Sequence, residues 1–326
     1  MTITKRPSGR RLHLLLALAL CAPLAARSQA VAPPQPLPPA APDPRAPLFV
    51  SVAWLAQHLN DPNLVLLHVG PAPEYAAAHI PGARLTSVAD LSIGDRSGPG
   101  LGVEMPSADT LLARLAALGI SDDSRVIVYY AKDMVYQASR ILLTLTYAGF
   151  GERASLLDGG MGAWTAAGHA TSAETSRARV SVLTPLRIRN FVVDARYVHS
   201  MLGAPGVAIV DARDTVFYTG ARAGGSAQAP QRAGRIPGAR SVVWSTLTDA
   251  NFRIRPASEL AAAFAAAGVR PGDLIIGYCH TGQQASAMLL AARSLGYRVL
   301  LYDGSYQDWS TRSELPVETG PTRPDN

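Results

Sequence analysis

The chain has 326 residues, 48% of them hydrophobic, with two cysteines and a formal net charge of +6. Five of its 30 basic residues (Lys5, Arg6, Arg10, Arg11, Arg27) and none of its 24 acidic ones precede residue 31, so without that segment the charge falls to +1. No Lys/Arg cluster with interleaved aromatics remains, which argues against a nucleic-acid surface.

The first four of those cations form a positive start, and Leu12–Leu20 follows as an apolar run broken only by His13. Small residues then lead to Ser28-Gln29-Ala30, a signal-peptidase type of site, with Ala26 as a second choice. The pattern predicts a secretory signal peptide over residues 1–30, too short to span a membrane. The expected product is exported, periplasmic or secreted. A lipoprotein reading of Cys21 meets Leu20 where a small residue is expected. Residues Val31–Pro47 hold eight prolines and read as an extended, disordered tether. No later apolar run approaches membrane-spanning length, and the remainder is ample for two domains of ordinary size.

From residue 48 the chain runs twice through one pattern. Leu64–Val69 and Ala208–Ala212 are apolar strand candidates. His79-Ile80-Pro81-Gly82-Ala83-Arg84 and Arg235-Ile236-Pro237-Gly238-Ala239-Arg240 differ at one position. Helices are expected at Leu111–Leu118 and Leu260–Ala267, and strands at Val126–Tyr129 and Leu274–Tyr278. Ala148-Gly149-Phe150 and Leu295-Gly296-Tyr297 supply glycine helix stops. Asp158 to Trp164 and Asp303 to Trp309 close the two copies. Strands alternating with helices predict parallel α/β units, one over residues 48–172 and the other over 187–318. Thr171–Pro185 connects them.

The copies differ where chemistry would be. Aligning Tyr129 with Tyr278 sets Tyr130 against Cys279. Aligning Gln137-Ala138-Ser139 with Gln284-Ala285-Ser286 gives the first copy two extra loop residues, and Lys132 and Asp133 lie in that loop. Once the leader is removed, Cys279 is the sole cysteine, so it has no partner for an intramolecular disulfide. It stands between a strand and the polar loop His280-Thr281-Gly282-Gln283-Gln284, with a helix following. Backbone N–H groups and a helix N-terminus at that point favour a thiolate. The alternative is a small buried core thiol.

Val210-Asp211-Ala212-Arg213, the Ile-Pro-Gly-Ala turn, the Cys279 loop and Tyr302-Asp303-Gly304-Ser305 with Trp309 together resemble the tandem rhodanese family of two-domain sulfurtransferases. The resemblance covers about residues 48–316. It implies two rhodanese-like domains, each a parallel β-sheet flanked by helices, the N-terminal one catalytically inert. It also implies sulfur transfer from a small anionic donor such as thiosulfate or 3-mercaptopyruvate, through a Cys279 persulfide, to cyanide, a thiol or a protein thiol. The successive N–H groups of His280 to Gln284 would cradle the anionic sulfur, and Gly282 would let the loop curl. Thr281, Gln283 and Gln284 offer side-chain hydrogen bonds.

In the family pattern, Asp211 is the strand-end aspartate that orients the loop, and Arg213 is expected to hold the domain interior through an ion pair. Arg235 replaces the usual histidine, which His79 retains, and reads as a loop cation or a substrate contact. Phe217-Tyr218 stands where some relatives carry an arginine. The loop also lacks the Arg-Lys pair and the Gly-Ser-Gly pattern of family members, which shifts expected anion recognition to the insertion Thr215–Gly234 with Arg222 and Arg232. A cysteine phosphatase is excluded, because the sixth residue after Cys279 is Ala285 and not the arginine that grips a phosphoryl group. A non-turnover exported sulfur carrier or binding module is the other reading. The seven histidines are scattered, and no metal cluster, Walker loop or dinucleotide fingerprint is present, so neither metal nor cofactor is expected.

Overall fold

Apolar, β-branched runs separated by Ala/Leu-rich segments form strands and helices in the same order twice. The structure is a computed structural model that describes residues 1–2, 33–37, 44–94, 100–176, 178, 180–227 and 229–321. The expected signal peptide with Cys21, and the middle of the expected tether, lie outside the described residues. The first half carries β1 (Phe49–Val50), α1 (Val52–His58), β2 (Leu64–Val69), α2 (Ala72–Ala77), β3 (Arg84–Thr86), α3 (Ala108–Ala117), β4 (Arg125–Tyr130), α4 (Val135–Leu145), β5 (Ala154–Leu157) and α5 (Gly160–Ala166). The second carries β6 (Val192–Val193), α6 (Ala195–Ser200), β7 (Val207–Asp211), α7 (Thr215–Tyr218), β8 (Arg240–Ser241), α8 (Ala257–Ala266), β9 (Leu274–Tyr278), α9 (Gln283–Ser294), β10 (Arg298–Tyr302) and α10 (Ser305–Thr311).

Each half folds into a five-stranded parallel sheet, ordered β1-β5-β4-β2-β3 and β6-β10-β9-β7-β8, which are the same order. The expected helices begin three residues earlier than their apolar spacing suggests, at Ala108 and Ala257. Ser107 caps the first by accepting from Thr110 N, and Pro256 precedes the second. Strand β4 shows why both faces of the first sheet are covered. Val126, Val128 and Tyr130 point into one core, while Ile127 and Tyr129 point into another, the period of two expected of a pleated strand. The first of those cores runs on without a break into the second half. Helices α4 and α9 pack along each other at that junction, and from Ala285 to Ser294 every residue of α9 is buried. A helix buried on all sides needs no polar face.

The duplication extends to side-chain hydrogen bonds. Tyr129 Oη accepts from Ile80 N at 3.0 Å, and Tyr278 Oη accepts from Ile236 N at 3.2 Å. Tyr75 and Tyr218 donate to the carbonyls of Ala83 and Ala239, and Trp164 and Trp309 donate to those of Ala170 and Pro316.

Two expectations need correction. The Pro-rich tether is not loose where it is described. Leu37 is buried and pairs in antiparallel fashion with Val299, its N–H 3.1 Å from the Val299 carbonyl. Strand β6 pairs only with Leu301 and Tyr302 of β10, so Leu37 satisfies backbone groups that this short neighbour leaves open.

Arg235 is neither a solvated loop cation nor exposed to a substrate. It is 1% exposed, its Nη2 lies 2.6 Å from Glu318 Oε1, and its Nη1 donates to the carbonyls of Gly320 (2.7 Å) and Tyr218 (3.3 Å). With its own N–H on the Glu318 carbonyl, it latches the trailing chain to the Ile-Pro-Gly turn. His79 does the same in the first half, using its ring nitrogens on the Tyr75 and Glu174 carbonyls and its N–H on Ser172. Arg235→Ala is expected to cost about 2–4 kcal/mol, through a broken ion pair and orphaned carbonyls, read as a lowered urea midpoint.

Candidate active site

Cys279 follows the last residue of β9, a strand with partners on both sides, and its side chain is 1% exposed. Its backbone is held from α10. Ser305 Oγ accepts from Cys279 N at 3.2 Å, Tyr306 N donates to the Cys279 carbonyl at 2.9 Å, and Gln307 N donates to the His280 carbonyl at 3.0 Å. Ser305 makes its contact in the left-handed region, with φ at 52°, a conformation that costs a non-glycine residue about 1 kcal/mol or more. Its counterpart in the first copy is Gly160, with φ at 54°. A serine at a position whose twin is glycine was the one signal for this residue in the sequence, and sequence reasoning missed it.

The loop turns at Gly282, whose φ of 81° is open to glycine and strained for other residues. That turn is also the N-cap of α9, and no side chain caps it. The free N–H groups of a helix start need acceptors, and here they face the sulfur: the N–H groups of Ala285, Thr281 and Gln284 hydrogen-bond to Cys279. Of the expected cradle, the N–H groups of Thr281 and Gln284 reach the sulfur, and Ala285 in the first turn of α9 adds a third. The cradle's expected net effect is reversed. Burial pushes the thiol above its ordinary range, the three N–H groups pull it back, and Asp211 adds a push upward. Local sequence shows the donors but not the desolvation that opposes them.

The remaining predicted residues fall into three groups. Asp211 and Arg213 lie beneath the loop as a fully buried pair, with Nη2 2.6 Å from Oδ2 and Nε 3.0 Å from Oδ1. Arg213 also donates to the Gly234 carbonyl and stacks over the rings of Tyr306 (4.0 Å) and Tyr278 (5.7 Å). Burial works against its charge, but Asp211 outweighs burial and raises its pKa. This is the interior ion pair expected of Arg213, and it leaves that guanidinium fully engaged.

His280, Thr281, Gln283 and Gln284 form the visible loop. Gln283 Nε2 donates to Thr281 Oγ1 at 3.3 Å, and Gln284 Oε1 is buried without a partner among the described residues. His280 Nδ1 meets Gln231 Oε1 at 3.3 Å and its ring abuts Phe217 edge-on at 4.6 Å. Burial, and then Arg213, push His280 down to about 4, so it is neutral at physiological pH.

The third group consists of the arginines of the insertion, whose recorded partners lie outside the cysteine loop. Arg232 does not face the loop: its guanidinium donates to the carbonyls of Ser310, Leu315, Trp309 and Arg312 at 2.8–3.0 Å, closing the C-terminal end of α10. Arg222 is exposed and lies 5.5 Å from the Phe217 ring. The long insertion therefore contributes Phe217 and Gln231 to the site through His280, and neither residue was singled out for that role. The result is a buried sulfur in a backbone cradle whose own loop carries no cation at neutral pH.

Comparison with known proteins agrees with this layout. Residues 51–167 and 194–312 match the family model described as the rhodanese-like domain. A putative thiosulfate sulfurtransferase of Synechococcus elongatus is 33% identical over 84% of this chain and 86% of its own length. A probable 3-mercaptopyruvate sulfurtransferase of Pseudomonas aeruginosa is 32% identical over 83% of this chain and 98% of its own. The solved structure of YnjE is 26% identical with a TM-score of 0.76, covering 86% of this chain and 70% of that one.

Because burial raises the Cys279 pKa, alkylation of the free protein by iodoacetamide should keep accelerating as pH rises through 9.0, the ordinary thiol value. With His280 neutral above about 4, the alkylation profile should have no inflection between about pH 5.5 and 7.5. A step in that window would mean that the imidazole titrates there and is not held down by burial.

Proposed function

The chain belongs to the rhodanese family of sulfurtransferases, and on that footing we propose that Cys279 carries the transferred sulfur as a persulfide. The observation that carries this reading is the convergence of three backbone N–H groups on the one cysteine sulfur of the second domain, where the first has Tyr130. In the first half-reaction the Cys279 thiolate attacks the outer sulfur of a donor of the thiosulfate or 3-mercaptopyruvate type. The bond from that sulfur to the rest of the donor breaks, and its electron pair leaves with sulfite or the enolate of pyruvate. In the second, cyanide or a thiolate attacks the outer persulfide sulfur, and the S–S electron pair returns to Cys279.

The cradle suits both halves, since neutral N–H donors hold the anionic sulfur without forming an ion pair that would trap it. Asp211, Arg213 and Ser305 keep the loop in shape, while Thr281, Gln283 and Gln284 line it. His280 is a neutral wall and not an anion hook. Donor recognition thus rests on hydrogen-bond donors and shape more than on charge at the loop, and the choice of thiosulfate or 3-mercaptopyruvate as donor is supported by the names of the relatives.

Incubation with thiosulfate or 3-mercaptopyruvate followed by mass spectrometry should show one added sulfur atom on Cys279, removed by cyanide. Cys279→Ser should lower kcat/KM by about 10³-fold or more. Full activity in that variant, or no adduct with either donor or with a persulfide, would refute the reading.

The basic, apolar and small-residue blocks of residues 1–30 support an exported protein, periplasmic or secreted, whose single remaining cysteine is Cys279. Among the described residues no helix is long and apolar enough to cross a membrane. N-terminal sequencing of the exported product should begin at Val31. An unprocessed, cell-retained chain would contradict this assignment.

A further inference from the structure

The loop that must hold an anionic sulfur carries no cation of its own at neutral pH, yet a guanidinium from the other domain lies against it. Arg140 belongs to α4 of the first domain, the copy with tyrosine in place of cysteine, and its side chain is 1% exposed. Its Nη1 stands 2.6 Å from Asp303 Oδ1 across the domain junction. The contact is an ion pair and not a directed hydrogen bond, and none of the three guanidinium nitrogens has a well-aligned acceptor among the described residues. A Cβ placed on Gly282 would come within 2.8 Å of the same Nη1. The left-handed turn of the cradle thus rests on this guanidinium.

Asp303 is held by the first domain through both oxygens, because Oδ2 accepts from Met105 N at 2.6 Å. Two residues later Ser305 takes the Cys279 N–H, and the N–H groups of Tyr306 and Gln307 take the carbonyls of Cys279 and His280. Arg140 therefore touches one wall of the cradle directly at Gly282 and the opposite wall through Asp303. The arrangement is one-sided. Aligned on Gln137-Ala138-Ser139 and Gln284-Ala285-Ser286, the α9 counterpart of Arg140 is Ala287, so α9 returns no cation from that position.

A buried ion pair is a poor way to stabilise a fold, since a well-packed apolar pair of similar volume often does as well or better. It is an effective way to set geometry, and a cradle of N–H donors loses its effect when the donors drift by about an ångström.

We propose that Arg140 is a positioning residue for the second domain's sulfur site: the cysteine-free domain clamps both walls of the Cys279 cradle through this guanidinium and keeps a positive charge beside an anion held there. This inference rests on Cys279 being the sulfur carrier, and it gives the first domain a part in the reaction without substrate contact.

The test uses the full chain. R140M/D303N removes both charges together, so no orphaned charge is left to unfold the protein, and its thermal midpoint should lie close to the wild type's. Its kcat should nevertheless fall by about 10²-fold, the size of losing one oxyanion-type donor, with KM changed much less. The pH profile of Cys279 alkylation should move to higher pH. R140K keeps the charge opposite Asp303 but not the reach of the planar fork, and should fall between the two, about 10-fold down in kcat.

Wild-type kcat and an unshifted alkylation profile in a folded R140M/D303N would overturn the proposal. Should that variant not fold, wild-type values in R140K would overturn it instead. Alkylation requires no sulfur donor: if the wild type takes no sulfur on Cys279, the persulfide reading fails, while a shifted alkylation profile in the variants still reports the clamp.

Discussion

A sulfur atom sealed at the end of a central strand can carry charge only if donors reach it inside the protein. At Cys279 three backbone N–H groups do so, and they hold back part of the upward push that burial exerts on the thiol. The surrounding backbone is shaped by that need. Gly282 turns left-handed so that α9 starts pointing at the sulfur and not at a side-chain cap. Ser305 accepts a strained backbone so that its hydroxyl can take the Cys279 N–H. Beneath the loop, the Asp211–Arg213 pair fills with charge and hydrogen bonds a space that solvent would otherwise have to occupy.

The first domain shows what the same scaffold does without that demand. The counterparts of Asp211 and Arg213 are His68 and Gly70, and the buried ion pair is gone. His68 lies edge-on to Tyr75 and Tyr129, with burial first and then His79 pushing it down to about 4, so it packs as a neutral ring. Gly70 leaves the room, since a Cβ there would sit 2.5 Å from His68 Nε2. The latch before the Ile-Pro-Gly turn survives in both copies with different chemistry, His79 on carbonyls and Arg235 on Glu318. What the fold requires there is a buried donor with reach, and either residue supplies it. Domains of one architecture have thus diverged at a few buried polar positions, while the tyrosine and tryptophan hydrogen bonds that hold each sheet to its turns stayed the same.

The positive charges follow a similar logic. Arg213, Arg232 and Arg235 each sit within hydrogen-bond range of several acceptors, and none is left to meet a donor molecule at the loop. With His280 neutral, the cradle relies on backbone dipoles and on a guanidinium contributed across the domain junction. Such a site can pass a sulfur on in both half-reactions, because nothing in the loop binds the anion so firmly that release becomes costly.

Much of this was legible in the residues themselves. The twofold repeat, the order of strands and helices, the parallel sheets and the confinement of the thiol to the second copy all follow from patterns within a few residues of one another, as does the N–H cradle, which is a strand, a glycine turn and a helix start in succession. Two kinds of fact were not legible. One is the fate of the long cations: Arg232 and Arg235 were expected as anion-recognition or loop charges and Arg140 was not singled out, because a guanidinium reaches partners 78 and 83 residues away in the chain or in another domain, and packing alone decides which. The other is the sign of the Cys279 shift. The donors that favour a thiolate are local, whereas the desolvation that opposes it sums over every element closing around the sulfur, and only the assembled tertiary structure determines that sum.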